Sequence, residues 1–305
     1  MACDDGRGVV ERTAVTPDLE SSELSLALPK GRMQGEVFAL LEAAGLKVRM
    51  GGREYRPTIA AGRFNVKVLK PQNIVEMLVA GSRDLGFAGA DWVAELDGDL
   101  VEVLDTGLDP VRLVVAAPPA LITTPLRERT GLVMASEYLR LAEEWIRREG
   151  LDARVIRSYG ATEVFPPEDA DLIIDNTATG ATLVANGLVS IATVMTSSTR
   201  LYANPAALDD PSRRAGIEGF TLLLRSVLEA RDRVMLEVNI GPDRLESVCA
   251  ILPSMREPTI ASLHGDAGFA VKVAVRRTEL PRLIPRIKAA GGSDIAISTL
   301  TQIVP

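Results

Sequence analysis

The sequence predicts an α/β protein whose strands and helices alternate into parallel sheets, followed by a C-terminal unit of order βαββαβ. Short apolar runs of strand length, such as Leu172-Ile173-Ile174, are followed by small-residue loops and then by amphipathic stretches that glycines stop. That alternation is the signature of parallel sheets with right-handed crossovers. Beyond residue 233 the rhythm changes to a strand at 234–240, a helix at 242–252, strands at 259–263 and 270–275, a helix at 280–290 and a strand at 295–303. This is the order of the ferredoxin-like unit.

The bulk properties bound the chemistry. A chain of 305 residues, 47% hydrophobic and 25% charged, reads as a globular protein of more than one domain. Its net charge of −7 argues against a nucleic-acid surface, so positive charge for an anionic ligand must be local. Cys3 and Cys249 form no spacing pattern, which makes a reduced, cytoplasmic setting the default. No apolar run is long enough to span a membrane. His264 is the only histidine, which excludes Ser-His-Asp hydrolysis and zinc sites built on His and Cys. Any metal should be a hard ion held by carboxylates and phosphates, meaning Mg²⁺.

In chain order, residues 1–22 are polar and acidic without an apolar h-region, and read as a flexible tail. A strand at 24–28 leads through Pro29-Lys30-Gly31-Arg32 into a helix with Val37, Leu40, Leu41 and Ala44 on its apolar face. Lys30 and Arg32 thus follow the carboxyl end of a strand, where open α/β sheets bind ligands, and suit pyrophosphate oxygens; two solvated charges are the plain alternative. After Arg53-Glu54-Tyr55-Arg56 come a strand at 66–69 and a helix opened by Pro71. Residues 84–91, DLGFAGAD, give a short strand and a glycine turn in which Asp91 suits a helix N-cap. The strand at 111–117 runs into Pro118-Pro119, the expected crossing between lobes. A strand at 132–135, Ser136 as N-cap, a helix at 138–149 stopped by Gly150, and a strand at 154–156 follow. A β-branched return at 189–199 and a helix at 212–233 complete the region.

The stretch from 171 to 188, DLIIDNTATGATLVANGL, organises the rest. The buried strand 172–174 ends on Asp175, and a loop of small residues turns into a short helix stopped by Gly187. Unpaired amides, the hydroxyls of Thr177, Thr179 and Thr182, and Gly180 suit close approach to a phosphate. Asp175 suits the hydroxyls of an adjoining sugar. An ordinary βα turn is the plain alternative; a P-loop is excluded, because no lysine follows the glycine.

The run D-x-x-x-T-G-x-T-L resembles the phosphoribosyl-pyrophosphate (PRPP) loop of phosphoribosyltransferases. Gly160-Ala161-Thr162-Glu163 followed by ATGATLVANGL is similar to the signature of long-form ATP phosphoribosyltransferases, which catalyse the first step of histidine biosynthesis. A-L-P-K-G-R and D-L-G-x-x-G-x-D also resemble that family, and Arg53 matches it loosely. The resemblance implies a two-lobed, periplasmic-binding-protein-like catalytic region, with lobe I at 23–112 and 190–232 and lobe II at 113–189, then an ACT-like regulatory domain at 233–305. It implies PRPP binding by Glu163, Asp175, Thr177, Ala178, Thr179, Gly180, Ala181 and Thr182. Lys30, Gly31, Arg32, Arg53, Gly89 and Asp91 would form the ATP and pyrophosphate side, with Mg²⁺ bridging pyrophosphate oxygens. Leu252-Pro253 and Glu257-Pro258-Thr259 resemble the regulatory domain that binds histidine for feedback inhibition, which brings in Asn239 and Thr259; Asn239 stands where some members carry an Asp. A homo-oligomer, dimer or hexamer, is implied as well. Two rivals are a solute-binding protein of similar shape, which would need export, and an inactive nucleotide-binding paralogue.

Overall fold

The structure is a computed structural model that describes residues 17–52, 55–253 and 257–304. The described residues form two compact units, one within 17–37 and 49–220 and one within 38–48 and 221–304. The elements up to the middle of the chain are β1 (Leu24–Pro29), α1 (Gln34–Ala43), β2 (Val48–Arg49), β3 (Thr58–Ile59), β4 (Phe64–Leu69), α2 (Pro71–Val79), β5 (Leu85–Gly89) and α3 (Ala90–Glu95). They continue as β6 (Val101–Ala117), β7 (Leu132–Ser136), α4 (Leu139–Glu149), β8 (Ala153–Arg157), β9 (Leu172–Thr177), α5 (Ala181–Ala185), β10 (Val189–Ala203), α6 (Pro205–Asp209) and α7 (Pro211–Asp232). The rest are β11 (Arg233–Ile240), α8 (Leu245–Cys249), β12 (Thr259–Ser262), β13 (Phe269–Arg276), α9 (Leu280–Ala289) and β14 (Gly292–Thr299).

In the first unit eight strands pair in the order β4-β1-β5-β10-β6-β9-β7-β8. Each end is parallel as expected: β1 lies between β4 and β5, and β7 between β8 and β9. The middle corrects the expectation of parallel sheets throughout, because β10 runs antiparallel to β5 and β6, and β6 antiparallel to β9. The cause is the double crossing. One long strand leaves the first lobe and another returns beside it, so the two must run in opposite directions. β6 is 17 residues long and starts ten before the expected strand, carrying Gly107 and Pro110 inside it. Register shifts against β10 around Ser197–Arg200 absorb these breakers as bulges.

The strand 172–174 is buried on both faces, as read. Leu172 and Ile174 join the core under α4 with Tyr138, Trp145 and Ile146, and Ile173 joins Leu183 and Leu188 on the other side. Gly150 ends α4 in the left-handed conformation, φ 65°. Ser136 accepts from the Tyr138 amide at 2.9 Å and donates to the Ile174 carbonyl at 2.8 Å. The tail reading needs correction where the chain is described. The Asp18 amide bonds the Ala215 carbonyl at 3.1 Å, and Ser21 and Ser212 exchange hydroxyl-to-carbonyl bonds of 2.7 and 2.6 Å, so residues 18–21 are fastened to α7.

In the second unit β11-α8-β12-β13-α9-β14 forms a four-stranded antiparallel sheet of order β12-β13-β11-β14, the ferredoxin-like arrangement. β11 alternates between buried and half-buried positions along its length. Val234, Leu236, Val238 and Ile240 meet Leu283 and Ile287 of α9 and Val248 of α8 in one apolar core.

Candidate active site

The loop after β9 is built by its own threonines. Thr177 Oγ1 accepts the Gly180 amide at 2.8 Å, and Thr179 Oγ1 accepts the Ala181 amide at 3.3 Å. Each hydroxyl keeps its proton to donate outward. Among the described residues nothing accepts from the amides of Ala178, Thr179 or Thr182. Gly180 holds the turn at φ 82°, where a side chain would be strained. Thr177, Ala178, Thr179, Ala181 and Thr182 line a cavity of about 320 Å³ with Glu163, Asp175, Asn176 and Arg32.

β9 runs two residues past its expected end, so Asp175 sits half-buried within the strand, where its Oδ1 accepts the Asn176 amide at 2.7 Å. Burial, together with the negative charges of Glu163 and Glu137, pushes its carboxyl up to about 6, against the pull of that amide. Glu163 arrives on a short turn whose base is pinned by a buried 2.7 Å bond between the Ser158 and Thr162 hydroxyls. Ala161 before it takes φ 48°.

A second cavity adjoins, lined by Lys30, Arg32, Gly89, Asp91, Trp92 and Asn176 together with β6 and β10. It measures about 90 Å³. Arg32 and Asn176 belong to both cavities. Lys30 donates to the Tyr55 hydroxyl at 2.7 Å and lies 4.6 Å from that ring's centre. Gly31 is exposed at φ 89°, and Arg53 lies outside the described residues. Gly89, not Asp91, caps α3. The Asp91 carboxylate is instead engaged on both oxygens, accepting from Ser197 Oγ and from the Tyr138 hydroxyl at 2.6 Å each.

Sequence reasoning missed this second network. Tyr138 accepts from Asn176 Nδ2 at 3.0 Å and stacks on Trp92, ring centres 4.6 Å apart. Glu95 at the end of α3 accepts the Arg140 and Leu141 amides at the start of α4, at 3.1 and 3.0 Å. Arg140 in return donates to the Ala94 and Glu95 carbonyls. The seam ties the two lobes together beside the cavities. Its sequence signals are Asp91, read as a helix N-cap or part of the ATP side, and Asn176, inside the phosphate-loop motif yet without a role there.

In the second unit Asn239 lies on β11 and Thr259 on β12, with β13 between them. Asn239 Nδ2 donates to Asp294 at 3.2 Å. Among the described residues no three carboxylate, histidine or cysteine side chains gather as a metal site, and no helix is long and apolar enough to cross a membrane.

Comparison with known proteins places these features in a family. The model of ATP phosphoribosyltransferase matches residues 70–226, and that of the HisG C-terminal domain matches residues 230–302. An ATP phosphoribosyltransferase of Pelotomaculum thermopropionicum is 37% identical over 93% of this chain and 100% of its own length. One of Desulforudis audaxviator is 34% identical with the same coverage. A solved structure of the ATP phosphoribosyl transferase (HisG:HisZ) complex from Thermotoga maritima superimposes with a TM-score of 0.60 at 25% identity, over 68% of this chain and 98% of the matched one.

Proposed function

The chain belongs to the ATP phosphoribosyltransferase family, and we propose that its two adjoining cavities are where PRPP and ATP meet. The enzyme joins N1 of ATP to C1 of PRPP and releases pyrophosphate, the first step of histidine biosynthesis. The observation that carries the site assignment is the sharing of Arg32 and Asn176 by the two cavities, one built of hydroxyls, amides and carboxylates and the other edged by cations.

On this reading the loop from Thr177 to Thr182 holds the 5′-phosphate, and Asp175 with Glu163 accepts from the ribose hydroxyls. Lys30, held by the Tyr55 hydroxyl, and Arg32 meet the pyrophosphate that departs, where negative charge develops. No histidine base is required, because N1 carries a free lone pair. Positioning two polyanions is the main catalytic task.

Mg²⁺ fits this donor set as an ion carried by pyrophosphate oxygens, with Asp175 and Glu163 as the carboxylates in reach, rather than as one held in a protein cage. It would supply charge neutralisation of the leaving group. Histidine inhibition through the second unit, at Asn239 and Thr259, and assembly as a homo-oligomer belong to the same reading. Calorimetric titration of histidine and light scattering test them; no heat, or a monomer mass, removes the respective part.

The site assignment is tested by Asp175→Ala and Gly180→Val, assayed by the ultraviolet change of phosphoribosyl-ATP with PRPP varied. Both variants should raise the KM for PRPP more than about tenfold, the scale of losing one or two charge-assisted hydrogen bonds. Unchanged PRPP kinetics in both would refute the assignment.

A further inference from the structure

Asn176 stands at the junction of the two cavities, and its amide has a donor end and an acceptor end. The surrounding network settles which end faces inward. Asp91 is engaged on both oxygens, by Ser197 and by Tyr138. An ionised carboxylate only accepts, so the single proton of the Tyr138 hydroxyl is committed to Asp91. Burial and the neighbouring Asp91 push that phenol well above its ordinary value, which keeps the proton in place. Only lone pairs then remain on the phenol oxygen, and Asn176 must turn Nδ2 toward it, as the 3.0 Å contact shows. Oδ1 is left as the outward end, and among the described residues no donor reaches it. Trp92, stacked on the Tyr138 ring, fixes the phenol from the other lobe.

We infer that Asn176 reads the nucleobase: its Oδ1 accepts a hydrogen bond from the 6-amino group of the attacking purine, with Tyr138 and Asp91 as positioning residues that hold the amide in this orientation. The inference rests on the reading that ATP and PRPP meet where the cavities join. C6 carries the amino group and is bonded to N1, so this one hydrogen bond also aims the nucleophilic nitrogen. As the N1–C1 bond forms and the bond from C1 to pyrophosphate breaks, positive charge spreads over N1, C6 and the 6-amino nitrogen. The amino group becomes a stronger donor, and the bond to Asn176 tightens in the transition state. A 6-oxo purine would turn lone pairs toward Oδ1 and be rejected, since two acceptors face each other.

The probe is purine riboside 5′-triphosphate, which keeps the N1 lone pair and lacks only the 6-amino group. Equilibrium binding of this compound and of ATP is compared on the full chain. The unmodified enzyme should prefer ATP by about tenfold. Asn176→Leu should bring the preference to within about twofold, and Tyr138→Phe, which frees the amide to turn, to an intermediate value near threefold. A preference that stays near tenfold in Asn176→Leu overturns the inference. Should that variant fail to fold, an undiminished preference in Tyr138→Phe overturns it. Asp175→Asn separates the two readings. If it leaves the KM for PRPP unchanged, the site assignment falls. If it raises that KM while Asn176→Leu keeps its preference, only the base-reading role falls.

Discussion

Buried polar side chains divide the two units. Around the cavities of the first, Asp91, Glu95, Ser136, Thr177, Ser197 and Thr199 are all almost fully buried, each with a hydrogen-bond partner. In the second, among the described residues, only Thr221 and Ser226 on α7 are buried polar groups, and none lies beyond that helix. The core under β11–β14 is wholly apolar. A core of that kind needs only the right alternation, whereas each buried carboxylate costs several kcal/mol unless its partners are in place. Glycines are tight in both units, Gly268 against the Ile240 carbonyl and Gly292 against Ile287 and Val238 in the second, but Gly89 of the first abuts the polar network itself. A Cβ built on Gly89 would overlap Asp91 Oδ1, the oxygen bonded to Ser197. Gly241 in the second unit has nothing within 4 Å and an ordinary φ of −62°. Gly89→Ala should therefore cost about 3 kcal/mol and most of the activity, since Asp91 must give up a buried bond or move α3. Gly241→Ala should change stability by less than about 0.5 kcal/mol. Urea midpoints of the two variants check the contrast, and equal shifts would break it.

Asp175 sharpens the same comparison through pH. Its folded carboxyl at about 6 lies above the ordinary 3.8, so the folded protein binds that proton more tightly than the unfolded chain does. The stability this contributes is full below about pH 4 and is lost as the pH rises through 6. A carboxyl held that far above its ordinary value corresponds to about 3 kcal/mol as an upper scale. Asp175→Asn, which does not titrate, should be more stable than the unmodified protein at pH 7.5 by about 1–3 kcal/mol, with the advantage vanishing near pH 4. The same variant should bind PRPP more weakly, as the unmodified enzyme should when acidified below pH 6. Denaturation at the two pH values and PRPP kinetics check both halves; a variant no more stable at pH 7.5 would contradict the burial argument.

The same division governs how much was legible in the sequence. In the second unit β11 follows from alternation alone: it reads Val-Met-Leu-Glu-Val-Asn-Ile and buries every other residue. The phosphate loop was legible as well, because Asp175, Thr177, Thr179 and Gly180 are neighbours in the chain and the loop's hydrogen bonds are local. The network behind it was not. Asp91 meets Tyr138 across 47 positions and Ser197 across 106, and no periodicity in one segment announces a partner so distant. The first ten residues of β6 are not legible in the sequence for a related reason. Gly107 and Pro110 are local breakers, and only the bulged pairing with β10, supplied from the far side of the fold, keeps them in a strand.

The smallest expected effect tests the second unit where it is most polar. Glu237 on β11 and Lys272 on β13 are directly opposed and paired at 2.8 Å, with about half of each side chain exposed (46% and 50%). An ion pair in such contact with water gains little, because the Coulomb attraction is weakened and two long side chains are immobilised. A double-mutant cycle with Glu237→Gln and Lys272→Met should give a coupling below about 0.5 kcal/mol, falling further in high salt. A coupling above about 1.5 kcal/mol would mean that this pair is desolvated in solution. The face of the sheet carrying Glu237 and Lys272 would then be covered, and repeating the cycle across protein concentrations would show whether a second copy covers it, since only then would the coupling weaken on dilution.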